Sequence, residues 1–380
     1  RPQHIGHHDP RTKLIRASMD DKKGNQVSGD SKKGAKQWQE DSFGFCVSKN
    51  RRVIILAVFD GHGGYNGYVA SNTARDTLKA HYTKQLEECE KWDLSRWEKD
   101  LHELFSKIHQ QIREQFLAQN GQGGKSFSRS KDANGIVRNP SGDPVHGGTT
   151  ASVVVAIRND DGTYTVVGAN TGDSTAMLIQ DDSSFEYLSE DHGPDNLQEY
   201  KRVQQLDEKE YPEKLIFVYD KAKCYKKYEC PKVFLPNGTK DSKYVQNPWG
   251  HGLHPTNVRY EPAVYAVTPQ SITKDATCIA MTRALGDFYA GQFGLSSIPS
   301  ITVRKTKKGS KFMVAVASDG VWDCWKYEDF AKYVCALGFE KGHSVKQAVD
   351  TALGESVSRA ITNFGSSHYD DACLVMCSLT

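Results

Sequence analysis

Val53-Ile54-Ile55-Leu56-Ala57-Val58-Phe59-Asp60-Gly61-His62-Gly63-Gly64 is the stretch on which the fold turns. Its apolar run is rich in β-branched residues and has no polar interruption, which predicts a buried strand. It stops at a carboxylate, an imidazole and glycines, so the strand delivers a charged site to its own end. Taken alone, Asp-Gly is also ordinary turn punctuation.

Working outward, the pattern recurs. Lys311-Phe312-Met313-Val314-Ala315-Val316-Ala317-Ser318-Asp319-Gly320 is a second apolar strand that breaks at Asp-Gly. Residues 34–46 lead into a half-apolar strand entered through Glu40 and Asp41. A short polar loop at 49–52 makes it a hairpin with the Val53 strand, bringing Glu40 near Asp60. The chain closes on Asp370-Asp371-Ala372-Cys373-Leu374-Val375-Met376-Cys377, a strand entered through two more carboxylates.

Between these strands, 65–89 and 94–119 read as helices. In the second, Trp97, Leu101, Leu104, Phe105, Ile108, Ile112 and Phe116 fall at helical spacing and define a core face. Residues 120–146 are Gly/Ser/Asn-rich and read as a surface loop. Strands follow at 149–158, 164–168 and 175–180, a helix begins near Gln198, and two more helices are expected at 327–338 and 344–364. Residues 1–33 read as a solvated N-terminal extension in which 13–18 adds one strand at a sheet edge. Residues 206–274 form a β-rich insertion without helical period. Helices cluster after groups of strands, so the class is α+β, a sheet-on-sheet core covered by helices.

Composition excludes several functions. Lys and Arg total 49 against 47 Asp and Glu, a net charge of +2, which asks for neither nucleic acid nor an anionic membrane. No apolar segment has the length of a membrane span and no secretory core opens the chain. The chain begins at Arg1, so an N-terminal targeting or lipid signal is expected to be missing from it. Nine scattered cysteines without a Cys-x-x-Cys pair indicate neither zinc nor a disulfide framework, although Cys224 and Cys230 lie close enough to raise a redox question. Free thiols imply a reducing compartment, and hence a cytoplasmic or nuclear location.

Acids at separate strand ends, gathered at one edge of a sandwich, would repel one another at a cost of roughly several kcal/mol. Cations relieve it, and all-oxygen donors favour Mg²⁺ or Mn²⁺. Such ions lower the pKa of a bound water towards neutrality and can make it a nucleophile.

Seven motifs, in order, match the metal-dependent type 2C Ser/Thr protein phosphatases, the PPM family. They are Asp60-Gly61-His62-Gly63-Gly64, Gly148-Thr149-Thr150-Ala151, Asn170-Thr171-Gly172-Asp173-Ser174, Glu190-Asp191-His192-Gly193-Pro194-Asp195, Thr282-Arg283-Ala284-Leu285-Gly286-Asp287, Ala317-Ser318-Asp319-Gly320-Val321-Trp322-Asp323 and Asp370-Asp371. The resemblance implies a four-layer αββα fold, a central antiparallel β-sandwich flanked by helices, in one catalytic domain over 34–380. It implies two metal ions, Asp60 bridging them, Glu40 and the Gly61 carbonyl completing one and Asp319 and Asp370 holding the other. Asp173 and Asp323, with Asp319, resemble the weaker third-metal site of some members. Asp41 and Asp371 stand beside the ligands, and His62 corresponds to the proposed general acid.

Two positions depart from the family. Lys36 stands where an Arg usually grips the substrate phosphate, and it supplies charge without a bidentate fork. Asp371 replaces the usual Asn, adding an acid. The 206–274 insertion is larger than usual and is expected to form a flap that helps choose substrates. The implied activity is hydrolysis of phosphoserine and phosphothreonine in phosphorylated proteins, by a monomer. The alternatives are a catalytically weak pseudophosphatase that binds phosphoproteins, against which the intact Glu40, Asp60, Asp319 and Asp370 argue, and a hydrolase of small phosphate esters.

Overall fold

The computed structural model describes residues 14–19, 26–119, 128–129, 135–221, 224, 226–236, 244–252, 257–269 and 277–380. Its frame is a pair of antiparallel sheets. In chain order the strands are β1 (Leu14–Met19), β2 (Val27–Lys32), β3 (Ser42–Val47), β4 (Val53–Phe59), β5 (Ala151–Arg158), β6 (Tyr164–Thr171), β7 (Thr175–Gln180), β8 (Phe185–Tyr187), β9 (Ser300–Lys305), β10 (Phe312–Ala317) and β11 (Ala372–Leu379). One sheet has the order β1-β2-β11-β10-β7-β8 and the other β9-β6-β5-β4-β3.

β4 shows why an unbroken apolar run suits this frame. Its residues alternate between faces, and both faces are covered. Ile54, Leu56 and Val58 point into the sandwich with Val314, Val316 and Val375. Val53, Ile55, Ala57 and Phe59 point outward onto Ala70, Leu78, Trp97 and Phe105. Those partners belong to helices α1 (Tyr65–Thr83) and α2 (Leu94–Ala118). The apolar face read from the spacing of α2 is wholly buried, and Asp93 caps its N-terminus by accepting from the Arg96 amide at 2.8 Å.

A short helix α3 (Leu197–Gln204) follows β8, and after β10 come α4 (Tyr327–Cys335) and α5 (Val345–Phe364). The last two cover the other sheet, with Phe330, Val334, Val349 and Leu353 against Met313, Ala315, Leu374 and Met376. The architecture is the four-layer αββα sandwich expected from the sequence.

Some local expectations change. The first helix stops at Thr83, ahead of a short 3₁₀ turn at Cys89–Lys91, and α4 gives way to a wide turn at Ala336–Glu340. β1 lies at a sheet edge, as expected for residues 13–18. β2 is a correction: this part of the extension is not solvated but buried between β1 and β11. Its core is built from small and polar residues, with Ser28, Asp30 and Ser31 buried, so no hydrophobic alternation marks it. Within 120–146, Val137–Arg138 pairs with Ser128–Arg129, and Ile136, Val137 and Val145 are buried, while 120–127 and 130–134 lie outside the described residues. The insertion holds paired strands Ile216–Tyr219 and Val264–Val267, joined by Cys278–Ile279 just beyond it, and a hairpin of Phe234–Pro236 with Tyr244–Gln246. All nine cysteines are free, Cys224 and Cys230 included. No helix among the described residues is long and apolar enough to cross a membrane.

Candidate functional site

Sheet pairing places the acidic strand ends together. Ser42 faces Phe59 in the β3–β4 hairpin, so Asp41 and Asp60 leave the same end of one sheet. Ala317 faces Leu374 across β10 and β11, which places Asp319 and Asp371 at the matching end of the other. The two Asp-Gly steps are what allow close approach. A Cβ on Gly61 would lie 2.5 Å from the Gly67 carbonyl and 2.6 Å from that of Glu40, and a Cβ on Gly320 would overlap the Asp371 carbonyl. Each glycine therefore admits the backbone that carries the next acid, a close-packing role rather than a turn. Asp60 is fixed further by its amide, which donates to Thr150 Oγ1 at 3.1 Å, and Thr150 Oγ1 in turn meets Ser174 Oγ at 2.8 Å.

The cluster carries electrostatic strain. Burial, then Asp319, Asp41 and Asp370, raise the Asp60 carboxyl well above its usual range. Burial and then Asp370 raise Asp319, partly offset by a hydrogen bond with Asp60. Asp41 is also lifted by burial and by Asp371, although Ser318 Oγ donates to it at 2.6 Å. Asp371 rises to about 6 through burial, held down by the amides of Glu40 and Gly34, which donate to it at 2.7 and 2.6 Å. Burial raises Glu40 while Lys36 opposes the rise.

Lys36 Nζ lies 2.6 Å from Asp370 Oδ1 and 3.3 Å from Glu40 Oε2. Burial works against its charge, but Asp370, Asp60 and Glu40 more than compensate and keep it protonated. The lysine read as a phosphate grip is thus embedded among the acids.

His62 sits beside this cluster with Nε2 2.6 Å from Asp287 Oδ2. Burial favours the neutral ring, yet Asp287 outweighs it and raises the His62 pKa. Asp287 was not singled out from the sequence, although it closes the Thr282-to-Asp287 motif. That segment is anchored by Glu199, whose Oε2 accepts from Thr282 Oγ1 at 2.7 Å and whose Oε1 lies 2.5 Å from Arg283. Burial opposes the Glu199 charge, but Arg283 and Arg202 hold its pKa down at about 2. His192, in the Glu190-to-Asp195 motif, is a buried strut that accepts from the Gly172 amide at Nδ1.

A second acidic group adjoins the first. Burial and then Asp319 raise Asp173 to about 7. Burial, Asp319 and Asp173 raise Asp323, against the pull of Arg259. At Asp191 low-dielectric surroundings and then Asp173 oppose ionisation, although the residue itself opens to solvent. Asp191 had no role in the sequence reading.

The donor chemistry fits hard divalent cations. The cluster is all oxygen, its members repel one another, and Asp173 Oδ1 is buried without a partner. Among the described residues no three Asp, Glu, His or Cys side chains already converge into a cation cage. The Lys36 ammonium supplies positive charge there instead.

The fold is thus an αββα sandwich whose two sheets bring acids to one shared end. The chain belongs to the protein phosphatase 2C family, whose model matches residues 22–218 and 264–353. That family is generally dependent on Mg²⁺ or Mn²⁺. The unmatched 219–263 falls inside the insertion. Probable protein phosphatase 2C 5 of Paramecium tetraurelia is 27% identical over 359 residues, 92% of each chain. Probable protein phosphatase 2C 52 of Arabidopsis thaliana is 26% identical over 337 residues, 86% of this chain and 59% of the relative. The chain spans 28%, 59% and 24% of the length of the first three curated relatives it matches. A serine-threonine phosphatase 2C from Toxoplasma gondii shares the fold with a TM-score of 0.61 at 15% identity, over 97% of this chain and 99% of its own.

Proposed function

We propose that the chain is a metal-dependent protein serine/threonine phosphatase that hydrolyses phosphoserine and phosphothreonine. The observation that carries the reading is the meeting of acids from both sheets, Asp41 of one held by Ser318 of the other and Asp371 held by the Glu40 amide, next to His62 on Asp287. Glu40, Asp60, Asp319, Asp370 and the Gly61 carbonyl would hold two ions, with Asp173 and Asp323 available to a weaker third. When bound, Mg²⁺ or Mn²⁺ supplies Lewis acidity and makes water nucleophilic at neutral pH.

The chain's own groups do the rest. Asp41 and Asp371 fix the approach of the ligands through Ser318 and through the amides of Glu40 and Gly34. Lys36 adds positive charge where the phosphate enters. His62, kept protonated by Asp287, gives its proton to the departing Ser or Thr oxygen. Water attacks directly and no phosphoenzyme is required, so none of the nine cysteines needs to be a nucleophile.

Turnover of phosphoserine and phosphothreonine peptides and of an aryl phosphate, with millimolar Mn²⁺ and with chelator, tests this. Metal-dependent phosphate release is expected. Absence of release from every substrate at saturating metal overturns it.

A further inference from the structure

The insertion is tied to the site by one guanidinium. Arg259 Nη1 donates to the carbonyls of Trp322 and Trp325, the latter at 3.3 Å. Its Nη2 lies 3.8 Å from Asp323 Oδ1, and the guanidinium lies 4.9 Å from the centre of the Tyr327 ring. The Val258 amide donates to the Asp323 carbonyl at 3.1 Å. These partners lie in and just beyond the short turn Asp319–Trp322, which presents Asp319 and Asp323 to the site. Arg259 therefore adds a second donor to the Trp322 carbonyl, which already accepts from the Trp325 amide at 3.1 Å, and takes up the Trp325 carbonyl just beyond the turn.

The turn is the rigid partner in this contact. Val321, Trp322 and Trp325 are 0–1% exposed in the core beneath α4 and α5. The insertion's side is a small built loop. Asn257 Oδ1 accepts from the Arg259 amide at 2.9 Å, and Glu261 meets Arg259 Nε and Nη2 at 3.1 and 2.9 Å. Between the two charged residues Tyr260 stands 76% exposed in left-handed backbone, φ 63°. A non-glycine residue in that region is strained, and it persists only where its surroundings hold it. Arg259, Glu261 and Asn257 are those surroundings, and the loop falls in the stretch the family model does not match.

We propose that Arg259 is a positioning residue that pins the insertion to the Asp319–Trp322 turn, and that the pinned loop, with Tyr260 at its tip, receives the polypeptide around the phosphorylated residue. This rests on reading the acidic cluster as the reaction centre. Losing Arg259 frees the loop rather than the buried turn, so a small phosphate ester, which needs only the centre, loses less than a phosphopeptide does, the pairing of Arg259 with Asp323 being its link to the site acids among the described residues. A phosphopeptide loses its flanking contact.

Arg259→Gln removes the charge and Arg259→Lys keeps it without the fork. The readouts are KM and kcat for a phosphopeptide and for an aryl phosphate, and hydrogen exchange at the Val258, Arg259 and Glu261 amides. Expected for Arg259→Gln are a phosphopeptide KM raised on the order of tenfold, aryl phosphate kinetics within about twofold, and faster exchange at those amides. Arg259→Lys restores part of each. Equal losses on both substrates, or exchange unchanged in both variants, overturns the inference. If the unmodified protein turns over neither substrate, the phosphatase reading falls and the substrate half of this inference with it. Exchange still decides the tether.

Discussion

His62 Nε2 lies 2.6 Å from Asp287 Oδ2 across 225 positions of sequence. Burial alone would favour a neutral imidazole, and the carboxylate outweighs it. Asp287→Asn removes that compensation, so the His62 proton is lost at lower pH. The alkaline limb of kcat against pH is expected to move to lower pH while the folded spectrum is retained. An unmoved limb shows that His62 is not the acid. His62→Gln should cost about 10²–10⁴-fold on phosphoserine peptides and far less on p-nitrophenyl phosphate, whose leaving group needs no proton.

The Asp60 carboxyl is destabilised by burial and by Asp319, Asp41 and Asp370. An Asp with a raised folded pKa costs stability as pH rises through its unfolded value, because the unfolded chain then holds fewer protons than the folded one. Asp60→Asn relieves this and should stabilise the metal-free protein by about 0.5–2 kcal/mol while abolishing turnover. The unmodified protein should gain about 2.7 kcal/mol from Mn²⁺ at a hundredfold excess over its dissociation constant, and the variant clearly less. Thermal melts with Mn²⁺ and with chelator measure both. Retained turnover in the variant contradicts the role given to Asp60.

What was legible divides along physical lines. β4 was readable because both its faces are buried, which removes every polar residue from the run. The acids at strand ends were readable as residues, but their meeting depends on β10 pairing with β11 and on packing between sheets, neither of which is a local signal. β2 escaped because Ser28, Asp30 and Ser31 fill its buried positions. Lys36 was readable only as a phosphate grip, whereas its contacts with Glu40, across a non-helical bend, and with Asp370, far along the chain, arise only on folding. Asp287 sat inside a recognised motif, yet its αL backbone, φ 45°, and its histidine partner come only from the folded chain.

The glycines after the two site aspartates separate close packing from turn formation. Gly320→Ala puts a methyl onto the Asp371 carbonyl and should destabilise the protein by about 1–3 kcal/mol, with loss of activity. Gly354 offers the contrast. It lies inside α5 with open space where its Cβ would be, so Gly354→Ala should stabilise by about 0.5–1 kcal/mol. Chemical denaturation of both variants checks the pair. A neutral Gly320→Ala would remove the close-approach account of how Asp319 and Asp371 are brought together.

His192 sets an acid limit on stability. It is fully buried, and burial, then Arg283, lower its pKa from 6.5 to about 3. Below pH 6.5 the unfolded chain takes up a proton that the folded chain refuses until about pH 3, so stability falls as pH drops through that window. At pH 5 the loss from this one residue is about 2 kcal/mol. His192→Gln has nothing to protonate, and its side-chain oxygen can still accept from the Gly172 amide that now donates to Nδ1. The urea midpoints of the two proteins should therefore diverge as pH falls below 6.5, the variant losing less, with a constant difference above pH 7.5. Parallel pH profiles would show that His192 is protonated equally in both states and that burial does not hold it neutral.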